Sequence, residues 1–388
     1  VTFLQALLAE LPAAVELRRK LHAEPRTGGQ ETPTAAVVAS AIGYPDAPSV
    51  AEGRMIRIGP SVGPVIAVRA ELDALPIVEQ TGAAFASVNG AMHACGHDVH
   101  LAALTALARA AASVDLPVSL LAMLQPREES FPLGAKDFVE SAELAKHDVR
   151  AVIGAHVQPR VALGEVAATP GPVNASFDDV LITINGVGGH AAYPQDARDP
   201  IVAAAAIVLA LQQVVSRRTD PLAPTVLTIG SIHAGQASNV IPATASLLAS
   251  LRTFSASERT RLLDLIGTIA ANTAAGYGCT AVTQPSLGEP VLDNHPALTE
   301  AVWPELAAQG LTLSAPLRSC GSDDFSFYSE RYPALMMFVG VRTSGDFEQQ
   351  PSLHSPFFLP ADDAVERVAR AMLAGYLGAC SLVTEDNE

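Results

Sequence analysis

Residues 64–72 (PVIAVRAEL), 97–113 (HDVHLAALTALARAAAS) and 118–124 (VSLLAML) decide the fold. The first and third are short, nearly continuous apolar runs, the pattern of strands covered on both faces. The Ala/Leu-rich stretch between them has the length of a helix. Strand, helix and strand in that order make a βαβ unit and call for a largely parallel sheet. Working outward, residues 2–22 carry apolar side chains at helical spacing (Leu4, Leu7, Leu8, Leu11, Val15, Leu17, Leu21). Basic residues come late in that stretch, where they suit the negative end of the helix dipole. Residues 134–145 read as a further helix and 151–157 as a further strand. In such sheets reactive groups gather at the carboxyl ends of strands.

The texture changes near Asn174. Residues 179–185 alternate like a half-exposed strand, and 199–215 form a strong helical pattern. Strands near 225–232 and 243–251, a helix over 255–275 and a strand near 280–283 follow. The order β-α-β-β-α-β suggests a compact ferredoxin-like α+β sandwich, closed by Pro285 and Pro290. Helix (296–308), strand (334–339) and helix (361–379) then resume the first texture. The expectation is an α/β domain with a mostly parallel central sheet flanked by helices (1–175 and 288–388), interrupted by an inserted α+β domain (176–287).

The chain has 388 residues, 40 acidic and 24 basic, so its formal charge is 24 − 40 = −16; apolar residues make up 49% and charged ones 16%. So apolar a chain can bury enough surface to offset its ordering entropy, which excludes a disordered acidic tail protein. The net negative charge, with Arg217-Arg218 the only notable basic pair after the first helix, argues against nucleic acid as partner. The longest apolar run, 201–211, is followed at once by glutamines and falls short of the roughly 20 residues of a bilayer span. The opening residues lack the basic-then-apolar pattern of a secretory signal. Cys95, Cys279, Cys320 and Cys380 are scattered without a paired framework. A cytoplasmic enzyme is the expectation.

Four pieces can carry chemistry. In Met92-His93-Ala94-Cys95-Gly96-His97-Asp98-Val99-His100, a thiolate and an imidazole two residues apart can share a divalent ion at a loop entering a helix. A C-x-H pair is not a full ligand set, so a buried free cysteine beside surface histidines stays open as the alternative. Glu128-Glu129, directly after an apolar strand, offers one carboxylate for metal and one as general base, although adjacent loop carboxylates taken alone are usually just solvated. His156 follows another strand and His354 lies in Ser352-Leu353-His354-Ser355-Pro356; each alone reads more readily as a structural histidine than as a ligand. Asp73, at a strand end, can orient a metal-bound histidine or form the turn before Pro76.

Taken together and in order, RRKLH (18–22), RAELDALP (69–76), MHACGHDVH (92–100), LQPREE (124–129), GAHVQP (154–159), GGHAAYP (188–194), SNVIP (238–242), RTF (252–254), CGSDDF (320–325) and LHSP (353–356) resemble the M20 metallopeptidase/amidohydrolase family. The resemblance is to its aminoacylase-like branch of hippurate, indoleacetyl-amino-acid and N-acyl-diaminopimelate hydrolases. It implies two divalent ions, zinc or manganese, held by Cys95, His97, Glu129, His156 and His354. It implies Glu128 as the base that activates water, with Asp73 supporting the site. His190 resembles the family histidine that reaches the partner subunit's active site, and the inserted domain would serve as dimerisation domain and lid of a homodimer. Asn239 and Arg252 resemble the pair that grips a substrate carboxylate, and Gly321, Ser322 and Asp324 would line the pocket.

Two segments depart from the family pattern. The N-terminal signature reads His22-Ala23-Glu24-Pro25-Arg26-Thr27-Gly28-Gly29-Gln30-Glu31, and Arg127 precedes the paired acids, where an inward guanidinium would weaken Glu128 as a base. The function implied is amide hydrolysis of an N-acyl-amino acid. A carboxypeptidase or dipeptidase on small peptides is the first alternative, and a catalytically silent protein that binds carboxylated amides the second.

Overall fold

Helix α1 (Phe3–Ala23) is fastened at its start by a reciprocal cap. Thr2 accepts from the Gln5 N–H and Gln5 accepts from the Thr2 N–H, so two otherwise orphaned donors are satisfied. Helix α2 (Thr32–Ile42) has Pro33 in its first turn and ends on Gly43 in the left-handed region. Strands β1 (Gly53–Ile58) and β2 (Pro64–Glu71), helix α3 (His97–Ala111), strand β3 (Ser119–Gln125), helix α4 (Gly134–Glu140) and strand β4 (Asp148–Ala162) follow. The helix expected over 134–145 stops early. Ser141 is extended, and its hydroxyl accepts from the Leu144 N–H to start a separate 3-10 turn, Leu144–Lys146.

This computed structural model describes residues 1–343 and 350–385. The chain divides into two compact units. One comprises Val1–Gly171, Asp293–Leu317 and Asp324–Glu388; the other comprises Pro172–Leu292 and Arg318–Asp323.

The second unit runs β5 (Asp178–Asn185), α5 (Pro200–Arg218), β6 (Thr225–Ala234), β7 (Thr244–Thr253), α6 (Ala256–Gly276) and β8 (Thr280–Leu287). Its four strands form an antiparallel sheet in the order β6-β7-β5-β8. Alternation sets the faces: Val180, Ile182 and Ile184 of β5 and Leu247 and Leu251 of β7 are buried against Ile207 and Leu211 of α5 and Leu262 and Ile266 of α6. Helix α5 reaches 19 residues and is apolar enough, by length and composition alone, to cross a bilayer. One stripe of it is buried in this sandwich, while Ile201, Val202 and Leu209 stay exposed.

Back in the first unit come α7 (Pro296–Ala308), β9 (Ala334–Arg342) and α8 (Ala364–Glu385). The eight-stranded sheet of this unit centres on β3-β2-β4-β9, all mutually parallel, with β1 added antiparallel beside β3. Helices α1, α2, α3, α7 and α8 share one hydrophobic core with the sheet residues Ile66, Val68, Ile153, Val157, Leu335 and Met337. β2 and β3 are buried along nearly their whole length and β4 over residues 151–159, as the continuous apolar runs require. The loops after β2 and β3, the middle of β4 just past its last pair with β2, and the start of α3 therefore meet in one place.

Candidate active site

Cys95 and His97 flank Gly96, which caps α3 with φ +85°. A Cβ there would lie 2.5 Å from Val157 Cγ2, so both the backbone conformation and the space demand glycine. The turn aims Cys95 Sγ at His156 Nε2, 3.3 Å away. His97 Nδ1 donates to the Asp73 carbonyl at 2.8 Å, which leaves Nε2 facing Glu128 Oε2 at 3.8 Å. His354 Nε2 lies 2.9 Å from Glu129 Oε1. Ligating atoms of Cys95, Glu129 and His354 lie within 4.8 Å of one another, as do those of His97, Glu128 and Glu129. Glu129 is common to both groups. The structure thus gathers Cys95, His97, Glu129, His156 and His354 around one centre with Glu128 at its edge.

The backbone is set for this purpose. Asp73, fully buried, accepts the Glu129 N–H on Oδ2 at 2.8 Å, which ties the loop after β3 to the end of β2. His354 adopts φ +65°, a conformation non-glycine residues rarely hold, and its N–H donates to the Ala94 carbonyl beside Cys95. Arg127 also has positive φ (+52°). Its N–H donates to Glu31 at 2.8 Å, and its guanidinium is spent on Glu52 (3.0 Å), Asp137 and the Pro132 carbonyl (3.0 Å). The inward arginine considered from the sequence is therefore not what the structure contains.

The electrostatics ask for cations. Burial alone would lower the His97 imidazole, yet its contact with the Asp73 carboxylate and the charges of Glu71, Asp73 and Glu129 raise it to about 10. Burial and the charges of Glu129 and Glu128 push the Cys95 thiol up. Burial, reinforced by His100, pushes His156 down, so it presents a neutral ring. The buried atoms His97 Nε2 and Asp73 Oδ1 have no hydrogen-bond partner among the described residues. Thiolate, imidazole and carboxylate donors crowded so that protons are held on to relieve repulsion fit divalent cations, which would replace those protons.

The remaining sequence candidates sit on the second unit, except Asp324. The two-stranded ribbon Gly189–His190 with Val240–Ile241 brings Asn239 beside His190, and the Ala191 N–H donates to the Asn239 carbonyl. His190 is exposed, and its Nδ1 accepts the Ala192 N–H at 3.1 Å, so the neutral ring presents Nε2–H outward. Arg252 donates to the Cys320 carbonyl at 3.0 Å and lies over the Phe177 ring at 4.7 Å. The Gly321 N–H is taken by Ser319 Oγ, and Ser322 bonds to Glu289. Asp324 is not at a loop surface. It is fully buried in the first unit, where it accepts from Arg69 (2.6 Å) and Gln125 (2.8 Å). Sequence reading also passes over Glu71 and His100, whose signal was two charges, Arg69 and Glu71, inside an otherwise apolar strand.

A parallel sheet whose strand ends converge on a thiol, imidazoles and paired carboxylates defines a metal-dependent hydrolase. Residues 67–375 match the model of peptidase family M20/M25/M40, and the chain belongs to the M20 family. N-acetyldiaminopimelate deacetylases of Listeria monocytogenes serotype 4b are 34% identical over 359 residues, covering 90% of this chain and 95% of theirs. A putative aminohydrolase from methicillin-resistant Staphylococcus aureus superposes with TM-score 0.89 at 30% identity, covering 98% of both chains. A dinuclear metal-binding peptidase of the M20 family from Bacillus subtilis superposes with TM-score 0.83 at 29% identity, covering 97% of this chain and 99% of its own. The protein is a metal-dependent amidohydrolase that acts on amide bonds.

Proposed function

We propose that this enzyme removes the acyl group from an N-acyl-amino acid. Cys95, His97, Glu129, His156 and His354 hold two divalent ions, zinc or manganese, in this reading. Such ions supply Lewis-acid polarisation and water activation when bound. The observation that carries the reading is the Glu128 carboxylate, at the rim of the five-ligand cluster and 3.8 Å from His97 Nε2. Placed there, Glu128 takes the proton of the attacking water and returns it to the departing amine. Asp73 holds His97 and the Glu129 backbone in register for that exchange.

The outward Nε2–H of His190 is suited to the developing oxyanion, a role worth about 3–4 kcal/mol in comparable sites. Arg252, with Asn239, Gly321 and Ser322, receives the substrate carboxylate, for which a guanidinium is the natural fork. The exposed apolar residues of α5 and the unpaired edge of β6 support a homodimer formed through the second unit, with His190 serving the partner subunit. The free thiols suit a cytoplasmic setting.

The test is Glu128→Gln, assayed on N-acyl-amino acids of varied acyl chain and side chain with zinc and with manganese. Two ions per subunit should remain by elemental analysis, while turnover falls by roughly 10²–10⁴. Undiminished turnover removes Glu128 from the role. A wild-type enzyme that cleaves free-amine dipeptides far faster than any acyl-amino acid overturns the substrate class.

A further inference from the structure

Arg69, Glu71 and His100 are 1%, 2% and 0% exposed, and no step above uses them. Burying a charge in an apolar sheet is costly unless it is fully partnered. Here the partners form a chain. Glu71 accepts from the Arg69 guanidinium on one oxygen and lies 2.9 Å from His100 Nδ1 on the other. His100 Nε2 accepts the Val157 N–H at 2.9 Å. A backbone N–H can only donate, so His100 Nε2 is a lone pair and its ring proton sits on Nδ1, directed at Glu71. Val157 then accepts His156 Nδ1–H on its own carbonyl at 2.7 Å. One residue, Val157, is thus gripped by His100 through its N–H and in turn grips a proposed ligand through its carbonyl.

The need for this grip lies in the sheet. The ladder between β2 and β4 ends at the pair Arg69–Gly154, so Val157 lies beyond the last β2 partner. His100 replaces the missing strand. Its ring centroid lies 4.6 Å from that of His156 and 5.7 Å from that of His97, a floor under both imidazoles. At its other end Arg69 donates to Gln125 (3.0 Å) and Asp324 (2.6 Å). Gln125 is the last residue of β3, just before Glu128 and Glu129.

Glu71, His97, His100 and His156 lie close enough to suggest a third cation site themselves. The bonds above argue against it. Both His100 nitrogens, His156 Nδ1 and His97 Nδ1 already serve protein partners, and Arg69 already covers Glu71. Resting on the proposed ligand set, we infer that Glu71 and His100 are positioning residues: they fix His156 and tie β2 to the ligand-bearing start of α3 and to the strands β3 and β4 before any ion arrives.

The test compares His100→Phe, which keeps a ring under His156 but makes neither hydrogen bond, with His100→Gln, which can accept from Val157 and donate to Glu71. Zinc and manganese binding is measured by equilibrium dialysis, and ligand geometry by the absorption of the cobalt-loaded protein. His100→Phe should bind roughly 10–100-fold more weakly, with a changed cobalt spectrum and a fall in kcat at near-constant KM. His100→Gln should recover most of the loss. Should His100→Phe not fold, Glu71→Gln carries the test, with about tenfold weaker binding expected. Wild-type affinity and spectrum in a folded His100→Phe or Glu71→Gln overturn the inference. His156→Ala and Cys95→Ser are the separate controls: wild-type binding by both would defeat the ligand assignment instead.

Discussion

Asp98→Asn is expected to destabilise the first unit by about 3 kcal/mol. Asp98 is fully buried in the first turn of α3, and its Oδ2 accepts from Arg18 Nε at 2.7 Å and His22 Nδ1 at 2.9 Å, both on α1. The two partners are 1% and 0% exposed. Breaking a buried ion pair from one side costs roughly 3–5 kcal/mol, because the remaining charge keeps its desolvation penalty. The lower end applies here. Arg18 keeps Asp362 at 2.9 Å and the Pro360 carbonyl at 3.0 Å, and His22 keeps Glu79 at 3.1 Å. For a unit of this size that is a fall in Tm on the order of 10 °C. The assay is urea unfolding and calorimetry on chelator-treated protein, so that ion binding does not mask the change. Replacing both Arg18 and Asp98 with leucine should cost less than the two single losses added, since the pair as a whole is close to break-even against an apolar filling. A loss under about 1 kcal/mol in Asp98→Asn would refute the view that this pair clamps α1 to α3.

Glu31 is buried, with one oxygen on the Arg127 N–H and the other unpartnered among the described residues; burial, with the nearby charges of Asp73 and Glu52, raises its carboxyl from 4.5 to about 7. A folded-state pKa above the unfolded one means stability is full below about 4.5 and declines as pH rises to about 7, by roughly 3 kcal/mol in all. Glu31→Gln should flatten that decline in urea midpoints taken from pH 5 to 8; parallel curves for the two proteins would contradict it. The dimer is checked by sedimentation velocity. Wild type should sediment as a dimer and Leu209→Lys, at a residue 75% exposed on α5, as a monomer; a monomeric wild type at micromolar concentration ends the proposal.

The parallel core was readable because its strands are buried on both faces and so appear as uninterrupted apolar runs. Strand β1 was not, since GRMIRI carries two arginines and owes its place to antiparallel pairing with β3, distant in sequence. Helix α2 left only weak marks, Pro33 at its start and Gly43 at its end, around a β-branched and alanine-rich run. Within the site, motif spacing named the side chains but said nothing of their convergence or direction. Arg127 illustrates the limit. Its orientation follows from a positive φ stabilised by Glu31, a residue nearly a hundred positions away at the end of the N-terminal signature that departs from the family pattern. Asp324 illustrates it again, because only the folded sheet shows that Arg69 and Gln125 wait beneath it.

The stretch from Cys95 to His100 carries more of the design than its proposed ligands suggest. An α-helix turns about 100° per residue, so consecutive side chains at its start leave in different directions. His97 faces the proposed ligand cluster. Asp98, about 100° further round, meets Arg18 and His22 of α1. His100 comes back to within about 60° of His97, close enough to lie beneath it and join Glu71 to Val157. Gly96, in the left-handed region, lets the chain fold back so that Cys95 meets His156 instead of following the helix. One helical turn and the two residues before it therefore supply two proposed ligands, a clamp to the N-terminal helix and a brace to two strands. A substitution at Asp98 or His100 should accordingly be felt at His97 through geometry, without any loss of a metal-ligating atom.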